Sequence, residues 1–357
     1  MGSNNPQNNN PVAGALTYPT NPTSSARRVA DQPRQPRSLQ GLLRFAMEAT
    51  RAEDAPGNSE IGPMDEERRK YLEEALKSLT VNVAEVLENA IKVLTNSERL
   101  RNIQLGNPLP DDIKNAFTIL LDYVDDMDVA NDFYKMGGFA MFPICYGSEN
   151  EEVRARASSV LGTLCQNNPF CQTRALECGL LNVLLTLVQS EQGVTLAKCL
   201  YAISCASREF EPACRELIAQ DGCEILAQLL RAQEPAARTK AAFLVRYLCQ
   251  HYDNAREHFV KQNVVRSIAA QVATGRDEST EHLLSILQVL IENLDPMVMR
   301  QCREPNVNLK AILQNHLKRP DLADDRFREE KEYCHELLNR IFNKRRSVDM
   351  NEEVADR

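Results

Sequence analysis

The sequence predicts an all-α solenoid of helical repeats, closed by capping helices at both ends and preceded by a disordered tail. Three observations lead there. Apolar residues keep helical spacing almost without interruption from Asp65 to Phe342. A glycine- or asparagine-led, leucine-rich unit recurs through the middle of the chain, and the first 37 residues are low in complexity.

That opening stretch, residues 1–37, is Asn-rich at Asn4–Asn10 and then dominated by Pro, Thr and Ser. It cannot bury enough apolar area to offset the entropy of ordering. In Ser38–Thr50, Leu39, Leu42, Leu43, Ala46 and Ala49 predict a short amphipathic helix, and a Gly/Pro/acidic linker runs to residue 63. Residues 64–110 read as N-terminal capping helices. Leu72, Ala75, Leu76 and Leu79 form one stripe and Val83, Val86, Leu87, Ala90, Ile91 and Leu94 the next, with Asp65 and Thr80 as their N-caps. Gly106–Asn107–Pro108 ends the pair.

Residues 111–305 carry the repeats. Residues 111–136 read as the last helix of a partly degenerate unit, with Ile119, Leu121 and Val124 as core. Gly137, Gly179, Gly222 and Asn263 then open leucine-rich runs at separations of 42, 43 and 41 residues, and Gly or Asn there fits a left-handed turn between stacked helices. A period of ~40–47 residues with purely helical patterning indicates armadillo or HEAT units, each able to bury its apolar stripe only against its neighbours. Within the units the last helices align, with core pairs Leu161/Leu164, Ile203/Ala206, Val245/Leu248 and Leu287/Leu290. The run Asn182–Ser190 by itself also fits a buried strand, but four equivalent runs without hairpin turns favour helix. Residues 306–357 read as C-terminal capping helices and tail, with Leu309, Ile312, Leu313, Leu317, Leu337, Leu338 and Ile341 as their apolar positions.

Composition narrows the function. The 357 residues include no Trp and only 6% aromatics, which argues against aromatic-lined pockets and base stacking. A net charge of −8 opposes nucleic-acid binding. No apolar run approaches the ~20 residues a bilayer demands, and the first thirty residues lack the apolar core of a signal peptide. The expectation is a cytosolic monomer without nucleic-acid or membrane partners. Eleven cysteines form no C-x-x-C pair, so they read as reduced, buried thiols. Phosphate-cradling, zinc-protease and nucleophile-elbow motifs are missing. The acids Asp122, Asp125, Asp126 and Asp128 lack the glycine and terminal glutamate of a calcium loop. The chain is therefore expected not to be an enzyme and to need no cofactor or metal.

One pattern does point to binding. In the aligned last helices a single position holds Arg156, Lys198, Lys240 and His282, at intervals of 42 residues. Three and seven residues further on lie Ser159/Thr163, Tyr201/Cys205, Phe243/Tyr247 and Ser285/Val289, which share the same helix face. Arg208 extends this face by a turn. The last helices of a solenoid line its concave side, so the ladder predicts a basic and aromatic groove suited to an acidic protein surface.

The strings SLQGLLRFAMEA (Ser38–Ala49), MDEERRKYLEEAL (Met64–Leu76), DDMDVANDF (Asp125–Phe133), KCLYAISCASRE (Lys198–Glu209), KAAFLV (Lys240–Val245), EHLLSIL (Glu281–Leu287) and QCREPNVNL (Gln301–Leu309) resemble the Fes-type, Hsp-binding-protein family of heat-shock-70 nucleotide exchange factors. The likeness covers roughly residues 38–342. It implies a curved armadillo-like domain whose concave face embraces the chaperone's nucleotide-binding domain, so that ADP and then client leave. It also implies that Arg156, Lys198, Tyr201, Arg208, Lys240, Phe243 and His282 touch the chaperone. The ladder adds Ser159 and Tyr247 to that face. In the family the N-terminal segment acts as a client mimic toward the substrate-binding domain; here residues 1–37 are Asn/Pro-rich where mammalian relatives are Gly/Ser-rich. The alternative, an armadillo scaffold gripping an extended peptide, would call for Trp and Asn ladders. This chain instead has no Trp, and Thr163, Cys205, Tyr247 and Val289 stand where the Asn would be.

Overall fold

A computed structural model describes residues 82–343 and, in isolation, Lys70. The predicted tail, the Ser38–Thr50 helix, the Leu72–Leu79 stripe, the Asp65 and Thr80 caps and residues 344–357 lie outside the described residues. Among the described residues every regular element is helical. Helices α1 (Val83–Leu94), α2 (Ser97–Arg101) and α3 (Asp111–Tyr123) come first. The first described N-cap is Asn82, whose side chain accepts from the Glu85 amide at 3.4 Å.

Five sets of three helices follow. The first two are α4 (Met127–Lys135), α5 (Met141–Tyr146) and α6 (Glu151–Cys165), then α7 (Pro169–Glu177), α8 (Leu180–Leu187) and α9 (Gly193–Ser207). The third is α10 (Glu211–Ala219), α11 (Gly222–Leu229) and α12 (Pro235–His251). The fourth comprises α13 (Asp253–Lys261), α14 (Val264–Thr274) and α15 (Thr280–Ile291). The fifth is α16 (Pro296–Arg303), α17 (Leu309–Leu317) and α18 (Arg328–Leu338). The Asn182–Ser190 run is thus helical as far as Leu187 and then turns, with no strand in it.

Each unit turns between its first two helices through one left-handed residue: Gly137 (φ 81°), Gly179 (69°), Asp221 (57°), Asn263 (53°) and Asn308 (52°). The first four recur every 42 residues. The sequence reading put the third turn on Gly222, one residue late. Gly222 is instead glycine because a Cβ there would run into the Leu217 carbonyl and side chain. Asp tolerates the left-handed region better than most residues, so the turn did not need the glycine.

The third helices pack in sequence, α6 on α9, α9 on α12, α12 on α15 and α15 on α18. The predicted core pairs Leu161/Leu164, Ile203/Ala206, Val245/Leu248 and Leu287/Leu290 are all buried between them. In α3 the core side is Ile113, Ala116, Phe117 and Leu120, continued by the buried C-cap residue Val124. Ile119 and Leu121, expected there, are only half-buried at its flanks. The error was one of phase, because apolar residues occupy more than one face of that helix.

Ion pairs with at least one largely buried partner cross between units. Arg154 of α6 pairs with Glu191 and also donates to the Ser148 carbonyl at 2.7 Å. Arg238 of α12, 3% exposed, pairs with Asp277 and donates to Ser279 Oγ at 3.1 Å. Arg276 and His316 both meet the fully buried Glu330, at 3.1 and 2.5 Å. Nine of the eleven cysteines are buried and all are free thiols. Burial pushes Cys145, Cys223 and Cys249 up to about 12, so they stay protonated and inert.

Candidate functional site: the third-helix face

Arg156, Lys198, Lys240 and His282 each lie 19 residues beyond their unit's left-handed turn residue. Equal spacing from an equal turn puts them on corresponding turns of α6, α9, α12 and α15. Since those helices are successive neighbours, the four side chains form one row across the array.

Lys198 and Lys240 are exposed, as is Arg208 at the end of α9. Arg156 is half-buried and paired within its own helix to Glu152 at 2.8 Å. The aromatic residues lie between the cations. The Lys240 ammonium stands 5.8 Å from the Tyr201 ring centre, and the Arg208 guanidinium 5.6 Å from that of Tyr247. Tyr201 donates its hydroxyl proton to Gln166 Oε1 at 3.0 Å. Tyr247 Oη accepts from the Glu209 amide at 2.8 Å. Each ring is thereby fixed at its far end while its face meets a cation. Phe243 is 41% exposed and its ring centre lies 4.2 Å from that of His282. The Ser159 hydroxyl donates to the Ala155 carbonyl at 3.1 Å, which leaves its lone pairs as acceptors.

The face changes at the fourth unit. Ser285 and Val289 are buried there, leaving His282 as its half-exposed representative. Burial, with Arg246 and Lys240 adding to it, holds the His282 ring below the ordinary histidine value. At neutral pH it is an uncharged ring tilted against Phe243, so the positive charge of the row belongs to α6, α9 and α12. Lys198, Arg208 and Lys240, with no carboxylate partner among the described residues, can meet an incoming carboxylate without first breaking an ion pair.

Comparison with known proteins gives the family. The SIL1/FES1/HPBP1 C-terminal domain matches residues 129–262 and the nucleotide exchange factor Fes1 family matches residues 39–133. Hsp70-binding protein 1 of Mus musculus is 30% identical over 327 residues, 90% of each chain. The chain belongs to the Fes1 and Hsp70-binding-protein family of nucleotide exchange factors. A more distant member, nucleotide exchange factor SIL1 of Rattus norvegicus, is 29% identical over 46% of this chain and 34% of its own. Among solved structures, a designed armadillo repeat protein superposes with a TM-score of 0.55 at 11% identity, covering 71% of this chain and 99% of its own. An engineered protein gives a TM-score of 0.56 at 16% identity over 71% and 96% of the two chains. At such identities the likeness speaks to the armadillo fold alone.

Within this exchange-factor fold the structure adds residues that spacing did not single out. Gln166 and the Glu209 amide orient the two tyrosines, and Gly162 leaves room for one of them, since a Cβ there would enter the Tyr201 ring. A glycine inside a helix is unfavourable by about 1 kcal/mol relative to alanine, so Gly162 was a visible signal of close approach. Gln166 and Glu209 carried no such signal, because their roles depend on which helix lies next door.

Proposed function

We propose that this protein is a co-chaperone that binds the nucleotide-binding domain of a cytosolic heat-shock-70 chaperone through the third-helix face, acting as a monomer. The row Lys198, Arg208 and Lys240, exposed and flanked by Tyr201, Tyr247 and Phe243, carries the reading. In this proposal the row is the concave wall of the array, meeting an acidic lobe of the chaperone. Residues 1–37 are assigned to the chaperone's substrate-binding domain, where they would aid client release.

The mechanism is one of linkage. A factor that binds the ADP-free arrangement of the lobes more tightly weakens ADP by the same ratio in which ADP weakens the factor, a coupling of ~1–3 kcal/mol in typical cases. No group on the face has to react. The relatives named Hsp70-binding protein and nucleotide exchange factor support this choice of partner.

Stopped-flow release of fluorescent ADP from such a chaperone tests the proposal. The wild-type chain is expected to accelerate release; an unchanged rate sinks the exchange reading. Lys198→Glu with Arg208→Glu is expected to weaken binding at least about tenfold, as for reversed charges at an interface, with the circular dichroism spectrum and melting temperature preserved. Normal binding by the double variant would place the interface elsewhere.

A further inference from the structure

Four steps join the five units, and three of them carry a charged side-chain tie across the boundary. Arg154 to Glu191 ties the first unit to the second, Arg238 to Asp277 the third to the fourth, and Arg276 to Glu330 the fourth to the fifth. The step from second to third unit departs from this. One repeat on from Arg154 stands Leu196, buried in the core, and one repeat on from Glu191 stands Gln233. Among the described residues no ion pair crosses this step. Apart from the Cys214 thiol on the Ser207 carbonyl at 2.9 Å, the polar contacts that cross it are Lys240 over Tyr201, Arg208 over Tyr247 and the Glu209 amide on Tyr247 Oη.

We propose that the α9/α12 step is the flexible joint of the array, and that the residues holding it closed are the same ones that face the partner. Cation–ring contacts at an exposed surface are weaker than a part-buried, hydrogen-bonded ion pair, whose loss strands a charge away from water. In a solenoid each unit touches only its neighbours, so flexing concentrates at the least-tied step. A carboxylate that draws Lys240 or Arg208 off its ring would also remove the contact that sets the angle of this step. Binding and bending then share one equilibrium, and a partner is favoured in the bend it selects. The coupling to a chaperone rests on the function proposed above, whereas the joint itself does not.

Spin-label distances in the full chain separate the two. Cys178, the one exposed native thiol, pairs with Gln228→Cys on α11 across the second-to-third step. Gln228→Cys with Arg266→Cys, in a Cys178→Ser background, spans the third-to-fourth step and serves as reference. In the free protein the first distribution is expected to be about twofold wider than the second, as for a locally weaker contact. Equal widths overturn the joint. On adding a heat-shock-70 nucleotide-binding domain the first distance is expected to shift and the second to stay. A shift in both, or in the second alone, overturns the coupling.

Leu196→Arg with Gln233→Glu rebuilds the absent tie. If the variant folds, as judged by circular dichroism, it is expected to narrow the first distribution to the reference width and slow ADP release by about fivefold, the scale of ordinary allosteric coupling. A narrowed joint with unchanged release overturns the coupling, and if the variant does not fold, the wild-type widths still decide. A wild-type chain that fails to bind the domain defeats the function proposal while leaving the free-chain widths as the test of the joint.

Discussion

Tyr201 occupies the space that a side chain at Gly162 would need, and it is held there by Gln166 at 3.0 Å and by Lys240 over its face. Gly162→Ala is therefore expected to cost about 1–3 kcal/mol, as overpacking does, and to weaken partner binding several-fold by displacing the ring. Urea denaturation and a binding titration check the two effects; unchanged affinity with lowered stability would detach Tyr201 from the face. His282 makes a prediction about pH. Burial first, then Arg246 and Lys240, depress its folded value below the ordinary 6.5. The unfolded chain thus takes up the proton before the folded one does, and stability falls as pH drops through about 6.5 toward the depressed value. Above neutrality this contribution is constant. Replacing His282 with Gln is expected to flatten that part of the urea-midpoint profile, and an unaltered profile would contradict the assignment. At this scale the ladder positions were readable because a 42-residue period repeats them, whereas the charge state of His282 was not, since it depends on Phe243, Lys240 and Arg246 arriving from another helix.

Helix junctions decide the register of each unit. Asp221 is left-handed at φ 57° and Gly222 is closely packed on Leu217, two different demands on adjacent residues. Asp221→Gly satisfies the backbone at least as well and is expected to alter stability by less than about 1 kcal/mol. Gly222→Ala places a methyl against the Leu217 carbonyl and is expected to cost about 1–3 kcal/mol. Equilibrium urea melts of the two variants distinguish them, and a reversed order would restore Gly222 as the turn residue. Helices and their approximate ends were visible from apolar spacing. The choice between two neighbouring residues for the turn was not, because Gly meets both a conformational and a steric demand and sequence does not say which applies. The same limit explains the α3 core: Ile119 and Leu121 are apolar, but only contact with neighbouring helices chose Phe117 and Leu120 for the interior.

The array depends on ties that span units. Glu330 of α18 is fully buried and touches both Arg276 and His316, drawing residues from the fourth and fifth units together. Arg276→Ala removes a cation from a buried carboxylate and is expected to destabilise by about 3–5 kcal/mol. Hydrogen exchange should show α17 and α18 losing protection before α6 and α9. Uniform loss along the chain would argue against unit-by-unit stability. By itself the sequence determined the helical class, the 42-residue repeat and the identity of the row from Arg156 to His282, because these follow from periodicity along one chain. Tertiary structure decided which cations stand free among the described residues, how Tyr201 and Tyr247 are held, and at which steps between the described units an ionic tie is present or absent. Those properties arise between helices some forty residues apart, and periodicity fixes what a helix presents without fixing what its neighbour sets against it.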